Sequence, residues 1–322
     1  MITRQGDSTD IPLFNVSEEK ILNQQHFYVL AVSGGPDSMF LLDNLRQKRY
    51  KLIVAHVNYH KRKESDRDEE LVKEYCRTWN LPCFVCSIES REQLPAKNFQ
   101  AWAREKRYNF FRKIAQQNQT KYILTAHHLN DHLETYLLQK QRKSLVKYWG
   151  LSSKVRWKDV YILRPLIHLS KEQIYQYLSK KKIPYVIDQT NYLLTYQRNI
   201  IRQKIVNFSA EKKAQLLKEI VQKNQELHQI ELLLKKKVKK VIANSTLNLN
   251  SWVTDSPELK IRLLYYWINK NTNQEFVNRK KGIFWEAKKQ LESPKKILTI
   301  ILNKNYRVKK NYPWANIENA LP

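Results

Sequence analysis

The sequence predicts an α/β fold, a parallel sheet covered by helices, followed by a mainly helical and basic C-terminal domain. Three observations lead there. Apolar strand-like runs alternate with amphipathic helical segments through the first 206 residues. Hydrophobic residues make up 42% of 322, enough for a sizeable core. Beyond about Val206 the pattern changes to long amphipathic helices rich in lysine. The expected division is therefore 1–206 and 207–322, with no repeats or low-complexity linkers.

The elements follow in order. "HFYVLAVS" (His26–Ser33) reads as a buried strand and Ser38–Lys48 as the helix after it. Lys51–Asn58 is a second strand, and Asp66–Asn80 carries helical spacing at Leu71, Tyr75 and Trp79. "PCFVCSI" is a third strand. Asn98–Asn118 is a long helix with Trp102, Phe110 and Ile114 on its apolar side, and Lys121–His128 is a fourth strand. "DHLETYLLQKQ" opens another helix; Lys171–Val186 is one more, running into a strand-like "IPYV". Strand–helix alternation implies right-handed crossovers and ligands at the carboxyl ends of the strands. In the second region, Leu216, Ile220, Leu227, Ile230, Leu234, Val238 and Val241 line one long helix. "PELKIRLLYYWINK" is a second helix, and "ILTIILNKNYRVKKNY" a hairpin turning at Asn303–Asn305.

The formal charge is +28. Lys, Asn, Gln and Tyr are abundant throughout, as low-GC coding gives, so part of that excess carries no function. The rest points to a polyanionic partner, nucleic acid ahead of an acidic membrane. The longest apolar runs, such as Ile297–Leu302, fall far short of the ~18 residues a membrane span requires. "MITRQGDSTD" lacks an apolar signal core, and Cys76, Cys83 and Cys86 make no disulfide framework. A cytoplasmic location is expected.

Glycine is scarce, five residues in all, yet Gly34 and Gly35 are adjacent between a strand and a helix start. Glycine permits positive φ and close approach of a ligand; the helix start adds free N–H groups and partial positive charge. Together they form a nest for phosphate. An ordinary strand-to-helix turn with a serine cap fits a lone Gly-Gly equally well. The stretch is neither GxxxxGK[ST] nor GxGxxG.

"SGGPDS" (Ser33–Ser38) resembles the SGGxDS loop of the PP-loop ATP pyrophosphatases, which cleave ATP between its α and β phosphates on a Rossmann-like parallel sheet. That resemblance implies that Ser33, Gly34, Gly35, Pro36 and Ser38 hold phosphate and that Asp37 helps place Mg²⁺. Four further stretches resemble one family, the tRNA(Ile)-lysidine synthetases: "HVNYHKRKESDRDE" (His56–Glu69), "NFQAWAREKRYNFF" (Asn98–Phe111), "AHHLNDHLET" (Ala126–Thr135) and "DQTNYLLTYQRNIIR" (Asp188–Arg202). Order and spacing match from about residue 28 to 206. Asn130 and His132 depart from the family's DDQ, Gln189 from its D-P-[ST]-N, and the glycine-rich loop expected after the ET helix is replaced by "QKQRKSLVKYWG".

Taken alone, these clusters have ordinary readings. His127, Asp131 and Glu134 share a helix face that capping and solvation also explain. The pairs Arg104/Arg107 and Arg198/Arg202 are equally compatible with solvated faces, although guanidinium forks suit phosphate well. The resemblance implies more: AMP is transferred to the C2 oxygen of the wobble cytidine of tRNA(Ile) with anticodon CAU. The amine of free L-lysine then displaces AMP, which changes the decoded codon from Met to Ile. At an amine pKa near ~10.4 only about one lysine in a thousand is uncharged, so a carboxylate should bind the ammonium and take its proton. Asp131 and Glu134 are expected there, Asp131 first. Arg104 and Arg107 are expected on the α-phosphate, His56, Asn58 and His127 near the nucleotide, and Arg198 and Arg202 on phosphate of ATP or tRNA. Lys235, Lys236, Lys237, Arg279, Lys280 and Lys281 are expected on tRNA phosphates, a solvated lysine-rich helix being the alternative. A homodimer is compatible with all of this.

Two other readings stand beside it. A 2-thiocytidine-type thiolase shares the loop and uses cysteines, but Cys83 and Cys86 lie three apart in a strand and should face opposite sides. A non-catalytic RNA-binding protein on the same fold would be consistent with Asn130.

Overall fold

Alternation of apolar runs with helical faces produces the first sheet. The computed structural model describes residues 22–60, 65–88, 99–187, 196–243, 245–276 and 280–320. Strand β1 (Phe27–Ala31) leads into α1 (Pro36–Gln47), β2 (Lys51–Asn58) into α2 (Ser65–Thr78), β3 (Cys83–Ser87) into α3 (Phe99–Gln117), and β4 (Tyr122–Leu124) into α4 (Leu129–Gln141). Then follow β5 (Lys154–Trp157), β6 (Val160–Leu163), α5 (Lys171–Lys181) and α6 (Tyr196–Val206). The strand order is β3-β2-β1-β4-β6-β5. All pairings are parallel except β5 with β6. Order reverses between β1 and β4, which makes the carboxyl ends of those two strands the switch point.

Both faces of this sheet are covered. Leu30, Val54 and Leu124 pack with Met39, Leu42, Val72, Tyr75, Ile174 and Leu178 of α1, α2 and α5. Val29, Ile53 and Ile123 pack with Phe111, Ile114 and Ala115 of α3. Helix α1 is buried along most of its length, Ser38 to Leu45.

Three stretches of this unit depart from the sequence-based expectation. β5 and β6 were not foreseen, because their turn contains no glycine: Lys158 itself takes the left-handed conformation, φ +54°. "IPYV" forms no strand. Pro184 removes a ladder donor; Ile183 and Tyr185 pack against the core, and Val186 N–H donates to Gly34 O (2.9 Å).

The chain divides into two units. The described residues up to Glu134 belong with Leu151–Asn207; Thr135–Gly150 belong with the described residues from Phe208 on. The sequence places 135–150 with the first region. In the structure Gly150 N–H donates to Gln139 Oε1 (2.7 Å), Trp149 N–H to Asn224 Oδ1 (2.8 Å), and Lys140 pairs with Glu219 (2.9 Å). The segment that replaces a glycine-rich loop is thus tied to the long helix of the second unit.

That unit contains α7 (Ala210–Val241), β7 (Ile242–Ala243), β8 (Thr246–Asn248), α8 (Pro257–Asn271), α9 (Lys281–Leu291), β9 (Ile297–Ile301), β10 (Tyr306–Asn311) and β11 (Trp314–Asn319). Its sheet runs β7-β8-β11-β10-β9, every pair antiparallel. The sequence predicts only the β9–β10 hairpin. Leu145, Val241, Leu247, Trp252, Trp267, Phe284 and Val308 form its core. Of the aromatic residues on its helices, Trp267 and Phe284 are buried, whereas Tyr266 and Trp285 are exposed. Among the described residues no helix is long and apolar enough to cross a membrane.

Candidate active site

The turn after β1 is built around Gly34. Its φ of +83° suits glycine, and a Cβ there would meet the Asp68 carbonyl at 3.2 Å. Gly35 is different: it caps α1 with φ −74°, and a Cβ would make only ordinary contacts with Ser33 Oγ (3.5 Å) and Val186 O (3.9 Å). The sequence treats the two as a pair; only the first is needed by the backbone. Pro36 occupies the first turn, where a missing N–H is harmless. The serines lock the turn from inside: Ser33 N–H donates to Ser38 Oγ (3.2 Å), and Ser38 Oγ–H donates to Gly35 O (2.9 Å).

Asp37 follows. Its Oδ1 is buried and accepts no hydrogen bond, an arrangement suited to a divalent cation. Burial raises its pKa; His128 and Lys171 oppose and Asp131 adds to the rise. His128, just before α4, was not among the residues the sequence pointed to. Asn130 N–H donates to His128 Nδ1 (3.1 Å), which leaves the ring proton on Nε2. That nitrogen lies 3.6 Å from Asp37 Oδ2 and 3.6 Å from Asp131 Oδ2. One imidazole therefore stands between two carboxylates from opposite sides of the switch point. The repeated "HH" after an apolar strand was the signal present in the sequence.

Asp131 also accepts from His128 N–H (3.0 Å). Burial pushes its pKa up, but His128, His127, that N–H and Arg202 outweigh it, so the carboxyl sits below its ordinary value. His127 lies just ahead of the helix and shares no helix face with Asp131; its Nδ1 is 2.9 Å from Thr125 Oγ1. Burial brings its pKa down to about 4.

Glu134 is placed differently from the expectation. Its side chain is buried, its Oε1 accepts from Arg198 Nε and its Oε2 from Arg202 Nε (2.6 Å). Both oxygens are engaged, so Glu134 anchors α6 and is not free to receive an amine. Arg198 and Arg202, expected on phosphate, each have one nitrogen committed to this carboxylate. Near the β2 end, His56 Nδ1–H donates to Val32 O (2.9 Å), and Asn58 Nδ2 donates to Asp66 Oδ1 (3.0 Å) and Glu69 Oε2 (2.9 Å). Both side chains are buried at the carboxyl edge, where they shape the loop wall.

Arg104 and Arg107 are exposed on α3, and Arg104 stacks on the Tyr108 ring at 4.6 Å. Arg164 was missed altogether. It leaves the end of β6 and is 6% exposed; a lone arginine closing the apolar run "VYIL" was its only trace. In the second unit, Lys235, Lys236 and Lys280 are exposed. Lys237 pairs with the buried carboxylate of Asp255 (2.5 Å) and so holds structure, whereas Lys281 pairs with Glu258 (2.5 Å) at the surface. Arg279 and Gln189 lie outside the described residues.

A family model described as a PP-loop domain matches residues 12–209. Fold and site thus define a PP-loop domain protein, with the loop at Ser33–Ser38. The tRNA(Ile)-lysidine synthase of Mycoplasma mycoides subsp. mycoides SC is 37% identical over 314 residues, covering 96% of this chain and 76% of that one. That of Mycoplasmopsis pulmonis is 33% identical over 291 residues, covering 88% and 96%. The chain belongs to the tRNA(Ile)-lysidine synthase family. Among solved structures, the U34-tRNA thiolase NcsA from Methanococcus maripaludis superposes with a TM-score of 0.53 at 14% identity, over 64% of this chain and 74% of that one. This likeness concerns the fold alone.

Proposed function

We propose that this chain ligates free L-lysine to C2 of the wobble cytidine of tRNA(Ile) bearing CAU, in the cytoplasm, consuming ATP and releasing AMP and pyrophosphate. The observation that carries the reading is the pair Asp37 and Asp131, each 3.6 Å from one imidazole nitrogen beside the Gly34 turn. One carboxylate serves the phosphate side and the other the amine side.

The N–H groups left free in the Ser33–Ser38 turn and at the α1 N-terminus bind the triphosphate. Asp37, with its unpaired Oδ1, is the residue that would hold Mg²⁺, whose charge assists departure of pyrophosphate. The cytidine C2 oxygen attacks the α-phosphorus, and the O–P bond to pyrophosphate breaks. The lysine ε-nitrogen then attacks C2, and the C–O bond to AMP breaks. Asp131 faces that amine. Its depressed pKa keeps it charged and so suits it to hold an ammonium, but makes it a weak proton acceptor; positioning is the larger part of its contribution. Glu134 acts indirectly, through Arg198 and Arg202.

The thiolase reading is disfavoured by the cysteines. Cys83 lies beside Cys76 on the α2 side of the sheet, whereas Cys86 faces Lys106 and Lys113 of α3. The deciding assay is incorporation of labelled lysine into unmodified tRNA(Ile), with nucleotide products resolved. Lysine incorporation with AMP release supports the ligase. ADP as product, sulfur transfer, or ATP binding without turnover counts against it. Asp37→Ala should abolish incorporation and leave tRNA affinity within about twofold; equal loss of both would contradict the assigned role.

A further inference from the structure

Arg164 has no role in the mechanism above, and its surroundings call for one. The parallel pairing of β4 with β6 sets Leu163 beside Leu124, and Thr125 N–H donates to Leu163 O (3.0 Å). The chain therefore leaves the sheet at Arg164 alongside the Thr125–Asp131 segment, on the edge that carries the Ser33–Ser38 loop. The side chain is almost wholly buried. One terminal nitrogen donates to Ser152 O (2.5 Å), the Tyr108 hydroxyl is near enough to favour the charged guanidinium, and Nε is buried with no partner. Among the described residues no carboxylate pairs with it.

Two more cationic groups crowd the same place. Arg104 stacks on the Tyr108 ring, and His127 is close enough that Arg164 and Arg104 both disfavour its charged form. Burial lowers the Arg164 pKa, Tyr108 offsets part of that, and Arg104 lowers it further. Asp131 is the carboxylate whose charge reaches both Arg164 and His127. Burying a guanidinium without a counter-ion is costly. Such an arrangement is compensated when a ligand supplies the missing negative charge.

We propose that Arg164, steadied by Tyr108 and acting with Arg104, binds a phosphoryl anion, the α-phosphate of the nucleotide. This rests on the ATP-dependent reading above. The planar guanidinium presents Nε and a terminal N–H as a fork that a phosphoryl group can accept from bidentately.

The test uses the full chain, AMP as probe, and two variants, Arg164→Met and Arg164→Lys. Removing a charge-assisted hydrogen bond predicts AMP binding at least ~10-fold weaker in Arg164→Met, by calorimetry. Its ligand-free melting temperature should equal or exceed that of the wild type, because the uncompensated charge is gone. Arg164→Lys keeps the charge but loses the fork, so AMP affinity should fall severalfold with melting unchanged; this variant carries the test if the first does not fold. KM for lysine should not move in either. Undiminished AMP affinity in a folded variant would overturn the proposal. So would a lower melting temperature with normal AMP binding, which marks a structural role, or a raised lysine KM with normal AMP binding, which marks a carboxylate site. If the wild type itself binds neither AMP nor ATP, the functional reading falls as well; if it makes lysidine while the variants bind AMP normally, only this inference does.

Discussion

Gly34 and Gly35 look alike in the sequence and differ in the structure, and that difference can be measured. A side chain at Gly34 must adopt φ +83° and meet the Asp68 carbonyl. Gly34→Ala should cost about 1–2 kcal/mol of stability and also displace the turn, so ATP affinity falls too. Gly35→Ala, at φ −74° with room for a methyl group, should fold as the wild type does. Comparable urea midpoints for the two variants would contradict this difference. His127 gives a second test. Burial holds its pKa down to about 4, whereas the unfolded ring titrates near ~6.5. As pH falls through that interval the unfolded chain binds a proton that the folded chain refuses. Stability is therefore intact above the unfolded pKa and drops by at most about 3 kcal/mol on the way to the folded one. His127→Gln should flatten that limb; an unchanged slope of stability against pH would exclude His127 as its source.

Among the elements, α1 binds two neighbouring helices through a single buried carboxylate. Asp43 accepts from Arg46 (2.6 Å) and Gln47 (2.6 Å) of its own helix, from Tyr75 of α2 (2.6 Å) and from Tyr177 of α5 (2.8 Å). With four donors converging, removal of the acceptor strands the Tyr75 and Tyr177 hydroxyls in the core and releases the half-buried Arg46 and the exposed Gln47. Asp43→Ala should cost about 3–5 kcal/mol, read from chemical denaturation; a cost under about 1 kcal/mol would show that the hub is dispensable. The sequence offered no hint of it, because its donors lie up to 134 residues away from Asp43. Helix spacing was legible for the opposite reason: the faces of α2, α3 and α7 repeat within a few residues. Of the strands that escaped notice, β5 and β6 have four residues each, and the turn between them uses Lys158 where glycine was the expected signal.

For the whole molecule, the charge of +28 points to a polyanionic partner without saying where it binds. The structure separates exposed lysines from those that hold the second unit together. Replacing Lys235 and Lys236 with Gln should reduce the slope of log affinity for tRNA against log salt by about 0.7–0.9 for each phosphate no longer neutralised, with melting unchanged. Replacing Lys237 should instead lower the melting temperature, since Asp255 would be left buried and unpaired. An unaltered slope in the first variant would place that stretch of α7 away from the nucleic acid.

From the chain alone the alternating α/β order, the SGGPDS turn and the basic second region were legible, because periodicity and motif spacing are local properties. Tertiary structure decided which groups face one another: His128 between Asp37 and Asp131, Glu134 held by Arg198 and Arg202, and Arg164 buried beside Tyr108. Those pairings depend on where parallel strands end and how helices pack across them, and these are long-range contacts that spacing along a chain does not encode.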